Sequence, residues 1–170
     1  MVSVLVTIRG NSASGKSTVA AGVQRRFGRG ECVLVAQDVV RRGMLRESDE
    51  PGAFNITLIE QIARTCLASE RVVLVEGILD ALRYGPMLQR LSVSAPQALH
   101  YGFDLSFEET LTRHAGRPQA ATIPEQMMAK WYHGWQPLPG IEELRIDARW
   151  TVEEIVDRIH GDILTAPSRR

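Results

Sequence analysis

The segment Gly10-Asn11-Ser12-Ala13-Ser14-Gly15-Lys16-Ser17 reads G-x-x-x-x-G-K-S, and it stands between the apolar, β-branched run Val2 to Ile8 and a helical pattern from Thr18 to Phe27. No other feature constrains the chain as tightly, because this string in a strand-to-helix setting has a physical job. Gly10 and Gly15 let the backbone curl round a phosphate with its N–H groups turned inward, and the start of the following helix adds partial positive charge. Gly10, Asn11, Ser12, Ala13, Ser14, Gly15, Lys16, Ser17 and Thr18 are therefore the expected contacts of a nucleoside triphosphate. The Lys16 ammonium is expected at the β- and γ-phosphates, and the Ser17 hydroxyl on a Mg²⁺ ion. Lys16 and Lys130 are the only lysines among 20 basic residues, so Lys16 reflects a demand of this loop rather than general surface usage.

The rest of the chain repeats the alternation. Runs of strand length lie at Val2 to Ile8, Cys32 to Val35, Val72 to Val75, Leu99 to Phe103 and Leu144 to Ile146. Helical periodicity marks Thr18 to Phe27, Ile56 to Leu67, Phe107 to His114 and Val152 to Leu164, the last opened by Thr151 with Glu154 three residues on. Connections of this length are crossovers, so an α/β fold is expected: a parallel sheet covered on both faces, with its ligand at the carboxyl ends of the strands. The stretches Glu47 to Ala53, Ala115 to Pro124 and Gln136 to Gly140 read as loops within one domain, and 170 residues suit a single domain. A 44% hydrophobic content excludes disorder, and 20 basic against 20 acidic residues count against an extended nucleic-acid partner. Cys32 and Cys66 lie in apolar stretches without metal-ligand spacing and read as reduced and buried. With no signal-peptide pattern and no apolar run of about 18 residues, a cytoplasmic protein without membrane contact is expected.

Other candidate residues follow the strands. The chain has neither N-K-x-D nor a D-x-x-G closing a strand, so adenine is the expected base. Gln37-Asp38-Val39-Val40-Arg41-Arg42 puts a carboxylate at the tip of the second strand and guanidinium groups one turn later. Asp38 can take the proton of an acceptor hydroxyl while Arg41 or Arg42 holds a polar or anionic group of that acceptor; an N-cap is its structural alternative. Glu76 closes the third strand where an acid can hold Mg²⁺ through water or orient the acceptor. Arg113 and Arg117 flank a Gly/Pro loop suited to a lid over the γ-phosphate, where a planar permanent cation matches spreading charge. Arg149 or Trp150, after the fifth strand, is placed beside the base. Trp131, Tyr132 and Trp135 either line the acceptor pocket or pack beneath the lid, while His114 and His133 have no evident nucleophile or metal to partner.

Together the phosphate loop, the D-x-x-R from Asp38 to Arg41, Glu76, the arginines at 113 and 117 and the final strand and helix resemble the P-loop kinase superfamily of small nucleoside- and metabolite-type kinases, over nearly the whole chain. Gln37 to Arg41 is similar to the substrate motif of polynucleotide 5′-kinases, where the aspartate is the base and the arginine grips the substrate's phosphate. It also resembles the matching segment of zeta-toxin-like and chloramphenicol phosphotransferase-like kinases. The resemblance implies a three-layer P-loop NTPase fold with strand order 2-3-1-4-5, one domain over residues 1–170 with a lid at about 113–124, and ATP with Mg²⁺ as donor. The expected activity is γ-phosphate transfer to a hydroxyl of a small metabolite, nucleoside-like compound or antibiotic. A 5′-hydroxyl oligonucleotide kinase and a nucleotide-dependent regulatory ATPase are the alternatives.

Overall fold

The chain was analysed as a computed structural model, which describes residues 3–167. Five strands form one parallel sheet: β1 (Val4–Gly10), β2 (Cys32–Ala36), β3 (Val72–Gly77), β4 (Gln97–Phe103) and β5 (Leu144–Ile146). Their order is β2-β3-β1-β4-β5, as the resemblance implies. Six α-helices, α1 (Lys16–Gln24), α2 (Phe54–Ala68), α3 (Ala81–Ser94), α4 (Phe107–Ala115), α5 (Glu125–Trp131) and α6 (Val152–Thr165), connect and flank the strands. Val2, expected in the first strand, lies outside the described residues.

Alternation along β1 builds the three layers. Val4, Val6 and Ile8 face α1 and α6, meeting Val19, Ala20 and Val23 on one helix and Ile155, Ile159 and Ile163 on the other. Leu5 points the other way, into a second core with Ile59 and Ala63 of α2 and Met87, Leu88 and Leu91 of α3. A strand buried on both faces reads as a continuous apolar run, which is why β1 and β3 stand out in the sequence. The Thr151–Glu154 capping box forms in full at the start of α6, and Ser106 with Glu109 makes a second one on α4.

Two helices lie outside the segments expected from periodicity. α3 keeps its apolar residues at helical spacing, Tyr84, Met87, Leu88 and Leu91, but carries Gly85 and Pro86 within its length, and α5 spans only seven residues. α3 survives because Asp80 caps it, accepting from the backbone N–H groups of Leu82 and Arg83, and because Tyr84, Met87, Leu88 and Leu91 are buried. A π-helical segment, Val39–Leu45, follows β2, and a short 3-10 turn, Pro118–Ala121, lies in the expected lid. Cys32 and Cys66 are free; Cys32 is buried, which pushes its thiol up to about 12, and Cys66 is half-buried. No helix among the described residues is long and apolar enough to cross a membrane.

Candidate active site

The carboxyl edge of the sheet gathers the candidate residues. β1 ends at Gly10, where a Cβ would come within 2.7 Å of the Phe103 Cβ at the end of β4, so the strand ends can approach only with glycine here. The loop then turns through Ala13 at φ 61 and Gly15 at φ 100, a left-handed sequence that points successive backbone N–H groups to one side before α1 begins at Lys16. Lys16 is buried and its Nζ donates across the loop to the Asn11 carbonyl at 3.0 Å. The buried Ser14 hydroxyl has no partner among the described residues. A buried ammonium and an orphaned hydroxyl in a concave, N–H-lined loop at a helix start fit a polyphosphate.

The loop is braced from behind. Asn11 Nδ2 donates to the Gly134 carbonyl at 3.0 Å, and its Oδ1 accepts from the His133 N–H at 3.0 Å. Arg113 Nη1 donates to the Ser14 carbonyl. Gly10 and Asn11 thus face a small recess beside Trp135, while Ser12, Ala13 and Gly15 to Thr18 line the main cleft.

Register sets the acids. Glu76 of β3 pairs with Ile8 of β1 and Ala36 of β2, which brings its buried carboxylate to 3.2 Å from the Ser17 hydroxyl through either oxygen. Burial pushes the Glu76 carboxyl upward, opposed by the Lys16 charge and the Ser17 hydrogen bond. Burial likewise pushes Lys16 downward, opposed by Glu76 and Asp38. Hydroxyl and carboxylate side by side are oxygen donors of the kind Mg²⁺ takes alongside substrate phosphates. Asp38 follows β2 and stays exposed, held by Arg41 Nη2 at 3.0 Å and Arg42 Nε at 3.2 Å. It makes no side-chain cap on the π-helical segment, so the alternative role as an N-cap is not taken.

A cleft of about 700 Å³ holds Lys16, Ser17, Asp38, Arg42, Glu76 and Arg117, with Pro118, Gln119 and Ile123 of the expected lid on its wall. His114 Nε2 lies 3.0 Å from the Ile123 carbonyl, a structural contact that ties the expected lid segment to α4. Two candidates stand apart. Arg149 is exposed and paired with Asp147 at 2.7 Å, and lines neither this cleft nor its neighbour, while Trp150 packs on the sheet core. Arg113 spends an Nη on the loop's own carbonyl and does not line the cleft.

The aromatic trio divides. Trp131 walls the cleft with the Arg42 guanidinium 5.9 Å from its ring centre. Tyr132 donates to the Leu105 carbonyl and packs on Phe107. Trp135 lies against Gly102, where a Cβ would come within 2.5 Å of its ring, and between Arg9 and Arg145. A second chamber of about 490 Å³ adjoins the cleft, sharing Arg42, Ile78 and Trp131 with it and adding Arg41, Asp49, Arg83, Lys130 and His133. Asp49, Arg83 and Lys130 escape a reading of the sequence, since each is separated from Asp38 by whole elements; the rarity of lysine is the one local sign of Lys130.

Comparison with known proteins agrees with this geometry. A family model described as an AAA domain matches residues 5–131. The fold is similar to APS kinase from Mycobacterium tuberculosis, solved in complex with AMPPNP and APS, at a TM-score of 0.70 and 18% identity over 95% of this chain and 97% of that one. It is also similar to a sugar kinase from Janibacter sp. (0.69, 20%, covering 97% and 96%) and to a gluconokinase from Sinorhizobium meliloti (0.65, 16%, covering 94% of each chain). No curated protein matches the chain. With the family model spanning most of its length and the strand order of the sheet in agreement, the chain belongs to the AAA domain family and has the fold of the P-loop kinases.

Proposed function

We propose that this protein is an ATP-dependent kinase that transfers the γ-phosphate to a hydroxyl of a small molecule, with residues 1–170 acting as one domain. The observation that carries the reading is Asp38: an exposed carboxylate, steadied by two arginines, in the wall of the same cleft as the Lys16 loop and beside a second chamber able to take an acceptor. The AMPPNP and APS bound to the similar APS kinase support a nucleotide in the loop and an acceptor beyond it.

Residues Ser12 to Thr18 hold the donor's phosphates, with Lys16 at the β- and γ-positions. Ser17 and Glu76 would hold Mg²⁺, which when bound offsets the phosphate charge. The acceptor oxygen attacks the γ-phosphorus in line, its O–H proton passes to the Asp38 carboxylate, and the bond from the γ-phosphorus to the bridging oxygen breaks, leaving ADP with the electron pair. Arg117, on the lid wall, and Arg42 are the guanidinium groups facing the transferred phosphoryl, while Arg113 steadies the loop from outside.

The test is transfer of label from γ-labelled ATP to pooled sugars, organic acids, nucleosides, antibiotics and 5′-hydroxyl oligonucleotides. Asp38→Asn is expected to lower kcat about 10²- to 10⁴-fold while AMPPNP still binds, and Lys16→Ala to lose AMPPNP binding. Full turnover in Asp38→Asn would remove the assignment. Rapid ATP hydrolysis that no acceptor alters would replace it with a regulatory ATPase.

A further inference from the structure

The second chamber has a chemistry of its own. Arg41, Arg42, Arg83 and Lys130 line it against one lining carboxylate, Asp49. The arginines are fixed from behind. Arg83 Nη1 donates to the Asp49 carbonyl and lies 3.3 Å from its carboxylate, and Arg83 Nε is 3.5 Å from Asp80 Oδ1. Arg41 donates to the Glu47 carbonyl at 3.2 Å and to Asp38 at 3.0 Å. Arg42 touches Asp38 through Nε alone. These partners leave a set of donors open among the described residues: Arg83 Nη2, both terminal nitrogens of Arg42 and the ammonium of Lys130. Set against the four cations are Asp38, Asp49, Asp80 and Glu47, whose carboxylate feels the Arg41 charge while it accepts from the Phe54 and Asn55 N–H groups, so the chamber offers open donors rather than an excess of charge. His133 adds little charge at neutral pH, because burial pushes its ring below its ordinary value.

A neutral acceptor entering here would replace water on these cations with uncharged hydroxyl oxygens, which make the weaker hydrogen bonds. A carboxylate or a phosphoryl or sulfuryl oxygen would meet forked, oriented donors. The donor's own phosphates do not supply this group to Arg83 and Lys130, which line the second chamber and not the cleft of the loop and Lys16; Arg42, shared by both, stands between the transferred phosphoryl and the acceptor.

Resting on the kinase reading above, we infer that the phosphoryl acceptor is a hydroxyl compound that also bears an anionic group, seated on Arg83, Lys130 and Arg42 with its hydroxyl toward Asp38. Arg83 and Lys130 are the specificity-determining residues.

The first experiment does not depend on turnover. With the loop saturated by AMPPNP and Mg²⁺, inorganic sulfate is titrated calorimetrically into the wild-type protein and its variants. Wild type is expected to show one further anion site, weakened about tenfold or more in Arg83→Gln and in Lys130→Gln, partly restored in Arg83→Lys, with AMPPNP affinity unchanged. Lys130 is exposed, so Lys130→Gln carries the result should Arg83→Gln fail to fold. No second site, or equal binding in both Gln variants, overturns the inference. The second experiment compares matched acceptors in the transfer assay: a neutral polyol, its carboxylic acid and its phosphate ester. The anionic members are expected to be preferred at least about tenfold in kcat/KM, with the loss in Arg83→Gln falling mainly on KM. Equal use of the neutral polyol overturns the inference. Transfer to none of these and to none of the pooled acceptors above, with sulfate still bound, retires the kinase reading and supports the anion site.

Discussion

His100 stands in β4 with its ring between two hydroxyls, Thr7 Oγ1 at 2.7 Å from Nδ1 and Ser92 Oγ at 3.1 Å from Nε2. Ser92 donates its only hydrogen to the Leu88 carbonyl, so it accepts from Nε2–H, and Nδ1 of the neutral ring accepts from Thr7. Burial pushes the ring from its ordinary 6.5 down to about 4. The folded state therefore resists a proton that the unfolded chain binds. Stability from this residue is complete above pH 6.5 and falls as pH drops toward 4, by up to about 3 kcal/mol. Urea unfolding at pH 7 and pH 4.5 is expected to show that loss in the wild type and a flatter profile in His100→Gln; parallel profiles would remove the account. Proposed roles at this scale are legible in the sequence only where they are local. Those of Lys16, Ser17 and Asp38 follow from neighbours along the chain, whereas the neutral tautomer of His100 is set by Thr7 on β1 and Ser92 on α3.

At the scale of elements, α4 shows what a local signal can and cannot say. Its capping box, Ser106 with Glu109, is complete, and its last turn carries Arg113 and His114. The helix was readable from periodicity, yet Arg113 does not face the cleft where a lid arginine was expected, because its position on the helix directs it to the Ser14 carbonyl. Its proposed work is to hold the phosphate loop. Arg113→Ala is expected to weaken AMPPNP binding about fivefold, about 1 kcal/mol, and Ser106→Ala to cost about 1 kcal/mol of stability. A drop in kcat with unchanged AMPPNP affinity in Arg113→Ala would return the residue to the transferred phosphoryl group. α3 is the opposite case. Tyr84, Met87, Leu88 and Leu91 keep helical spacing, but Gly85 and Pro86 lower its propensity and mask the signal, and burial against α2 and the sheet with the Asp80 cap holds the helix. That helix delivers Arg83 and α5 delivers Lys130, and it is the tertiary packing of these two elements that brings both side chains to the second chamber. The phosphate loop, written in one contiguous string, was complete in the sequence.

At the scale of the whole molecule, a net charge of zero hides a division of labour. Many surface cations are spent on neighbouring carboxylates: Arg26 on Asp157, Arg64 on Glu60, Arg149 on Asp147 and Arg158 on Asp162. In the second chamber open donors remain at Arg42, Arg83 and Lys130. Among the described residues, a partner that reads this distribution meets a small cavity with open guanidinium and ammonium donors. Ionic strength separates the two kinds of acceptor. A compound carrying a single anionic group displaces few counterions, so its KM is expected to rise no more than about tenfold between 50 and 200 mM salt. A 5′-hydroxyl oligonucleotide held through six to ten phosphates would lose about 10³- to 10⁵-fold in affinity over the same range. Steady-state KM for the preferred anionic acceptor, measured across that range with ATP and Mg²⁺ saturating, decides between them. A shallow slope agrees with the single cavity, and a loss of three orders of magnitude would make nucleic acid the acceptor despite the neutral surface.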